Sequence, residues 1–318
     1  MEGRKVELNL GLVCNNSCKF CMNDVPSKER KFIGFDILTK DLYELFEDGF
    51  DTVSFIGGEP TIYPKFLEAI RLAAKIGYTG IHVVSNGRKY SDLNFLERIT
   101  KAGVTRYYIS IHSHKQGIED YLTSIEGGFK EKISGISNLV RLREKGLFKD
   151  GIQLNTVVNK LNYVYLPQMI AFFNRYFGLN DFRLNFIWPA GKALNNFESL
   201  VPRYSEVMEH LVLCVELARK LNINLSFEAV PYCLLRKVKH SEEFVGEMKD
   251  GIRKARFGIG TRHNFFIEER RKNQLKTKSR DCKFCKYDLL CEGVWKKYVE
   301  YFGSTELRPL RKLSDLKR

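Results

Sequence analysis

Residues 6–13 read Val-Glu-Leu-Asn-Leu-Gly-Leu-Val, and residues 14–21 continue Cys-Asn-Asn-Ser-Cys-Lys-Phe-Cys. The first stretch alternates apolar side chains with polar or small ones, the period of a β-strand. The second is a short polar loop whose thiols are spaced four and three residues apart. Three such thiols can converge on one metal centre, but a closed structural zinc site or a saturated cubane cluster takes four ligands. A centre short of one protein ligand keeps a position open for chemistry.

Outward from this pair, strand-like and helix-like stretches alternate. Helical periodicity covers residues 35–47, 63–77, 91–102, 129–145, 164–177 and 203–221. Between them, residues 52–56, 81–85, 106–111, 152–158, 182–188 and 223–227 are apolar and strand-like. Six successive βα units imply parallel strands joined by helical crossovers, so the fold class is α/β and the expected architecture a partial (β/α)6 TIM-like barrel. Polar or glycine-bearing residues recur at the C-terminal strand ends: Cys14, Gly57 to Glu59, Ser85 to Gly87, His112 and the turn at 188–191. That rim is where α/β barrels carry out chemistry. The rhythm stops after Pro231, which sets a boundary between a core of residues 1–231 and an appended module of residues 232–318.

Composition narrows the class. In a chain of 318 residues, 44% hydrophobic and 13% aromatic content supports a sizeable core and excludes disorder. No apolar run approaches the roughly 18–20 residues that span a bilayer. The opening Met-Glu-Gly-Arg-Lys-Val leads straight into a strand without a secretory pattern, so no membrane association and a cytoplasmic location are expected. Eight cysteines in the cytosol point to metal rather than disulfides. Six of them sit in two clusters, 14/18/21 and 282/285/291, leaving Cys214, in an apolar helical run, as core and Cys233 unassigned. The net charge of +14 is uneven: residues 232–318 hold 23 Lys and Arg against 12 Asp and Glu. That excess suits an acidic partner or substrate, or equally a lysine-rich solvated surface.

Cys-x3-Cys-x2-Cys directly after the first strand, Phe20 just before its last cysteine, and Gly57-Gly58-Glu59-Pro60 closing the second strand resemble the radical S-adenosylmethionine superfamily. The resemblance covers residues 6–231. It implies that Cys14, Cys18 and Cys21 bind three irons of a [4Fe-4S] cluster, the fourth iron being chelated by S-adenosylmethionine. An electron, from a donor such as ferredoxin or flavodoxin, then cleaves the sulfonium to a 5′-deoxyadenosyl radical that abstracts a substrate hydrogen. It further implies that Gly57, Gly58 and Glu59 meet the methionine amino group, although Gly-Gly also suits an ordinary βα turn. Ser85, Asn86, Ser110 and Asn155 are expected to reach the methionine carboxylate and ribose, or else to bond neighbouring backbone. Phe20 is expected beside the adenine. His112 is the candidate catalytic residue, with His114, Asn185 and Trp188 as further groups that could face the substrate.

Cys282-x2-Cys285-x5-Cys291 is itself metal spacing, and zinc is its default reading in isolation. Downstream of such a core it resembles the auxiliary-cluster extension called SPASM or twitch. The full SPASM pattern has another cysteine four residues on, where this chain has Trp295. The resemblance therefore implies one second, auxiliary iron–sulfur cluster of the [4Fe-4S] type, with Cys233 as the well-placed candidate for its fourth ligand, or else an open iron that could hold an anionic substrate group. Peptide maturation and small-molecule chemistry both fit. The competing class is a zinc-stabilised, basic nucleic-acid-binding protein, for which no recognised nucleic-acid motif speaks.

Overall fold

The apolar strand-like stretches form a curved parallel sheet, most of whose strands are buried on both faces at their centres. The structure is a computed structural model that describes residues 4–236, 238–245, 253–257, 263–266 and 270–310. Strands β1 (Lys5–Asn9), β2 (Thr52–Ile56), β3 (Gly80–Ser85), β4 (Arg106–Ser110), β5 (Gly151–Val158), β6 (Asp181–Phe186) and β7 (Asn224–Glu228) pair in sequence order, all parallel. Helices α1 (Phe35–Glu47), α2 (Phe66–Ile76), α3 (Leu93–Lys101), α5 (Gly128–Glu144), α6 (Leu166–Phe177) and α9 (Tyr204–Leu221) form the crossovers. The expected partial barrel is therefore present.

Leu8, Phe55, Val83, Ile109, Leu154, Leu184 and Phe227 are fully buried, on the alternating positions that face the helices. The opposite positions place Ser110, Asn155, Asn185 and Glu228 along the concave face near the C-terminal strand ends. At the other end of the strands, an Arg106–Asp181 ion pair and a Gln153 Nε2 to Asp181 Oδ1 bond of 2.7 Å tie β4, β5 and β6 together.

Three features were not anticipated. A short helix, α4 (Gln116–Thr123), precedes α5. The 188–201 turn folds into α7 (Lys192–Asn195) and α8 (Phe197–Leu200). Past residue 231, β8 (Arg253–Phe257) joins the free edge of β1 in parallel, and β9 (His263–Phe266) pairs antiparallel with β8. The segment after 231 thus continues the sheet at its first strand, as well as forming a small unit of β10 (Lys276–Thr277), β11 (Val294–Trp295) and α10 (Lys296–Phe302). Aromatic packing bolts that unit to the barrel. Tyr204 of α9 stacks on Phe186 at 4.0 Å, donates its N–H to Tyr298 Oη at 2.9 Å, and donates its hydroxyl to Ala229 O at 2.8 Å. No helix among the described residues is long and apolar enough to cross a membrane.

Candidate active site

The segment that carries the thiols is seated by its neighbours' backbone. Gly58 N–H donates to Gly11 O at 2.7 Å and Glu59 N–H to Val13 O at 2.9 Å. A Cβ on Gly57 would stand 2.6 Å from Gly11 O, and one on Gly58 only 2.2 Å from Val13 O. Both positions therefore demand glycine because two strand ends touch there. This contact accounts for Gly-Gly without any ligand.

Glu59 is buried and its carboxylate is the hub of the same rim. Oε1 accepts from Thr61 N–H at 3.1 Å, Thr61 Oγ1 at 2.7 Å and Ser85 Oγ at 2.7 Å, and Oε2 accepts from Asn86 N–H at 2.7 Å. Ser85 Oγ in turn accepts from Gly87 N–H at 3.0 Å. Asn86 Nδ2 donates to Asn15 Oδ1 at 2.7 Å, and Arg88 Nη1 donates to Asn15 O at 2.8 Å and Asn16 Oδ1 at 3.0 Å. Ser85 and Asn86 thus tie Glu59 to the cysteine loop.

The loop is gripped from its other side by α4. Ser17 N–H donates to Thr123 O at 3.1 Å and Lys19 N–H to Leu122 O at 2.9 Å. Helix α4 is anchored by Glu119, whose Oε2 accepts the N–H groups of His112 at 2.7 Å and Ser113 at 2.9 Å. Its Oε1 pairs with Lys132 Nζ of α5 at 2.5 Å, and Lys132 also donates to Ser110 O at 2.8 Å. Both side chains are essentially excluded from solvent, at 1% and 0% exposure. Burial pushes the Glu119 carboxyl up, but Lys132 and the His112 contacts outweigh it and leave it below the usual range. Sequence reasoning missed this pair, since Lys132 lies in a charged run that reads as a solvated helix face.

The thiols themselves are half-buried. Burial raises Cys14, and it pushes Cys18 up to about 12 although Lys132 pulls the other way. Cys14 Sγ accepts from Asn16 N–H at 3.4 Å, the kind of bond that supports a thiolate. Across the loop, Lys192 N–H donates to Cys21 O at 2.9 Å, and a Cβ on Gly191 would stand 2.3 Å from Met22 O. Among the described residues, no three His, Cys, Asp or Glu side chains close around a single-ion site. A cubane asks for something else, one thiolate at each of three separate iron corners. Three thiols and no fourth fit that request.

Phe20 meets His112 edge-on, ring centroids 4.5 Å apart. His112 is buried, and its Nδ1 accepts from Val157 N–H at 3.1 Å. Burial lowers the ring to about 4, so it is neutral at pH 7 and its Nδ1 is engaged. Ser110 lies on the concave face, its carbonyl on Lys132. Asn155 Oδ1, on β5, is buried with no protein partner among the described residues. An orphaned acceptor facing the concave side is what a ligand hydroxyl would satisfy.

The second set of cysteines shares one pocket. Cys233, Cys282, Cys285 and Cys291 line one small pocket with Tyr232 and Tyr287, whose rings stack at 4.4 Å. Burial pushes Cys233 up to about 12, with the charge of Cys291 adding to it. Cys214 is buried in α9, in the core.

These features define a class: a parallel half-barrel that presents a three-thiol centre at its C-terminal strand ends. Residues 8–172 match the Radical SAM superfamily, and the chain belongs to that superfamily and is an enzyme. A probable GTP 3′,8-cyclase of Sulfurisphaera tokodaii is 26% identical over 212 residues, 66% of this chain and 63% of the relative. A second, from Saccharolobus islandicus, is 26% identical over 194 residues, 59% of each chain. The match therefore spans about three fifths of these relatives' length. Among solved structures, Streptococcus suis SuiB bound to S-adenosylmethionine superposes with a TM-score of 0.65 at 15% identity, covering 98% of this chain and 76% of SuiB. Membership brings a [4Fe-4S] cluster, S-adenosylmethionine and the need for a one-electron reductant.

Proposed function

We propose that this enzyme holds its [4Fe-4S] cluster on Cys14, Cys18 and Cys21, cleaves S-adenosylmethionine reductively there, and abstracts a hydrogen atom from its substrate. We further propose a second iron–sulfur cluster on Cys233, Cys282, Cys285 and Cys291. The observation that carries this reading is the difference between the two cysteine sets: three on the barrel rim, four around the C-terminal pocket. When bound, cluster and S-adenosylmethionine supply a low-potential electron and a carbon radical.

The chain's residues supply position. Gly57 and Gly58 let the β2 end close on the thiol loop, and Glu59 keeps a buried negative charge near Cys14, suited to the methionine ammonium. Asn155 Oδ1 is a candidate acceptor for a ribose hydroxyl, Ser110 lies beside it on β4, and Phe20 is braced by His112 to face the adenine. His112 supports Phe20 in this reading, because its Nδ1 is occupied. A ferredoxin- or flavodoxin-type donor supplies electrons. Residues 232–318 act as the auxiliary-cluster module. A second reading, action on a purine nucleotide, is favoured by the names of the curated relatives.

The test is anaerobic purification or reconstitution, followed by iron and sulfide analysis and incubation with S-adenosylmethionine and dithionite. The expected result is a brown protein with about eight irons per chain that releases 5′-deoxyadenosine. A colourless zinc protein without that product would sink the proposal.

A further inference from the structure

Three cysteines of the tetrad lie on a loop whose intervening residues are largely open to solvent. Resting on the reading above, we propose that the surface around Phe284, Leu289 and Leu290 is the docking face of an acidic, low-potential one-electron carrier protein. From there the carrier reduces the second cluster.

Phe284, Leu289 and Leu290 are 49%, 89% and 54% exposed, and no other large apolar side chain among the described residues is as open as Leu289. Single exposed leucines are ordinary, but three such side chains within seven residues form a patch, and patches mark contact sites. Two tight turns set its place. Cys285 N–H donates to Cys282 O at 2.9 Å and Asp288 N–H to Cys285 O at 3.0 Å, then Cys291 N–H donates to Tyr287 O at 2.7 Å. Cys282, Cys285 and Cys291 line the pocket they share with Cys233, whereas Phe284, Leu289 and Leu290 do not. Phe284 adjoins Cys285 and Leu290 adjoins Cys291 in the chain, so a single peptide bond separates the patch from two ligands of the proposed cluster.

Positive charge borders the patch. Residues 271–291 hold seven Lys and Arg against two Asp and Glu. Arg271 and Lys276 are buried on carboxylates, and Lys278 pairs with Asp288 at 2.9 Å. Lys272, Arg280, Lys283 and Lys286 are exposed with no carboxylate partner among the described residues, beside one exposed acid, Asp281. Lys272 Nζ donates to Leu289 O at 3.4 Å, and the Lys283 and Lys286 ammoniums lie 4.9 and 4.7 Å from the ring centres of Phe284 and Tyr287.

This combination selects the partner. A second copy of the chain would set cations against cations. A small anion would use the cations and leave the apolar side chains in water. An acidic protein uses both. A one-electron carrier is the acidic protein this enzyme requires, and electron transfer weakens steeply with distance, so the thinnest cover over a cluster is its place. Carrier encounters bury little surface and are steered by charge, which a patch of this size supplies. In the step itself the reduced carrier loses one electron, the second cluster gains it, and no bond or proton moves.

The test uses the anaerobically reconstituted holoenzyme, with an acidic plant-type [2Fe-2S] ferredoxin as the probe. Calorimetric titration at low salt should show about one ferredoxin bound per chain, weakened about tenfold by Lys283→Glu combined with Lys286→Glu. Leu289→Ser should weaken binding without changing its salt dependence. A charge-matched control, Lys28→Glu with Lys31→Glu, alters the approach to the triad, where Lys31 O accepts from Leu12 N–H at 3.0 Å, and should bind as wild type does. Reduced ferredoxin should also pass an electron to Cys18→Ala, which keeps only the second cluster, as read by electron paramagnetic resonance. No binding, equal losses in both double variants, a loss confined to the control, or no electron uptake by Cys18→Ala would each overturn the proposal. So would phosphatidylserine vesicles that bind this face and are not displaced by ferredoxin, which would assign it to a membrane surface. Iron content and dithionite-driven release of 5′-deoxyadenosine, unchanged in the Lys283 and Lys286 variant, test the underlying reading separately. If both hold while the substitutions leave ferredoxin binding intact, only the docking face fails. A wild-type chain with only about four irons removes the second cluster, and this inference with it.

Discussion

At the end of β1, Cys14, Cys18 and Cys21 lie on a loop whose backbone is bonded to the ends of β2 and α4 and to the turn after β6. In the C-terminal unit, Cys282 and Cys285 lie at a single 3-10 turn, Cys291 follows one turn later, and Cys233 arrives from the chain just past β7. The first set is positioned by the barrel before any metal arrives, and it has no fourth cysteine. The second draws ligands from two separated segments, so a group bound there would staple the C-terminal unit to the barrel. Both sets carry thiols raised by burial. Loading either site must therefore displace protons, as thiolate ligation requires. The contrast teaches that ligand count separates a reactive centre from a fastening one more clearly than burial does.

The largest expected effect breaks the comparison on the triad side. Cys18→Ala should abolish 5′-deoxyadenosine formation while leaving about four of about eight irons per chain. Product formation at the wild-type rate would remove the triad from the chemistry. On the other side, Cys233→Ala should alter or lose the second cluster, read by iron content and electron paramagnetic resonance, while the first survives. Unchanged iron and spectra would reduce the tetrad to a triad and the contrast with it.

How far the sequence reaches depends on the range of the interaction. Strand periodicity made the seven parallel strands visible, and local spacing made both cysteine clusters visible. That Cys233 lines one pocket with cysteines 49 or more residues away was expected only through resemblance. The place of β8 on the edge of β1 had no local signal, because it pairs segments at opposite ends of the chain and local spacing carries no trace of such a contact. Glu59 was legible as important, but its four bonds to Thr61, Ser85 and Asn86 depend on how neighbouring strand ends meet. Charge counting also could not tell that two of the 23 basic residues of 232–318, Arg271 and Lys276, are buried against Glu292 and Glu228.

A third effect probes what holds the triad's loop in place. Lys132→Met leaves the Glu119 carboxylate buried and unpaired, and removing one partner of a buried pair costs about 3–5 kcal/mol. Denaturant unfolding should show that loss, and adding Glu119→Gln should recover part of it. An unaltered midpoint in Lys132→Met would mean that α4 is held some other way. The tetrad, remote from this pair, should keep its cluster spectrum.

The smallest effect concerns acid, and it also divides the two sites. Burial depresses His112 to about 4 from an ordinary 6.5, Glu119 pulling it up and Lys132 pushing it down. The unfolded chain takes up this proton below about pH 6.5, whereas the folded one waits until about pH 4. Stability is therefore complete above pH 6.5 and is lost as pH falls toward 4, by up to about 3 kcal/mol. Comparing His112→Asn with wild type isolates this term, because carboxylates titrate alike in both. The wild type should lose more stability between pH 7 and pH 4.5, and parallel losses would mean that the imidazole protonates freely in the fold. Among the described residues, no histidine lines the tetrad pocket. Mild acid should consequently loosen the support of Phe20 and the triad loop by an imidazole route that the four-cysteine site lacks.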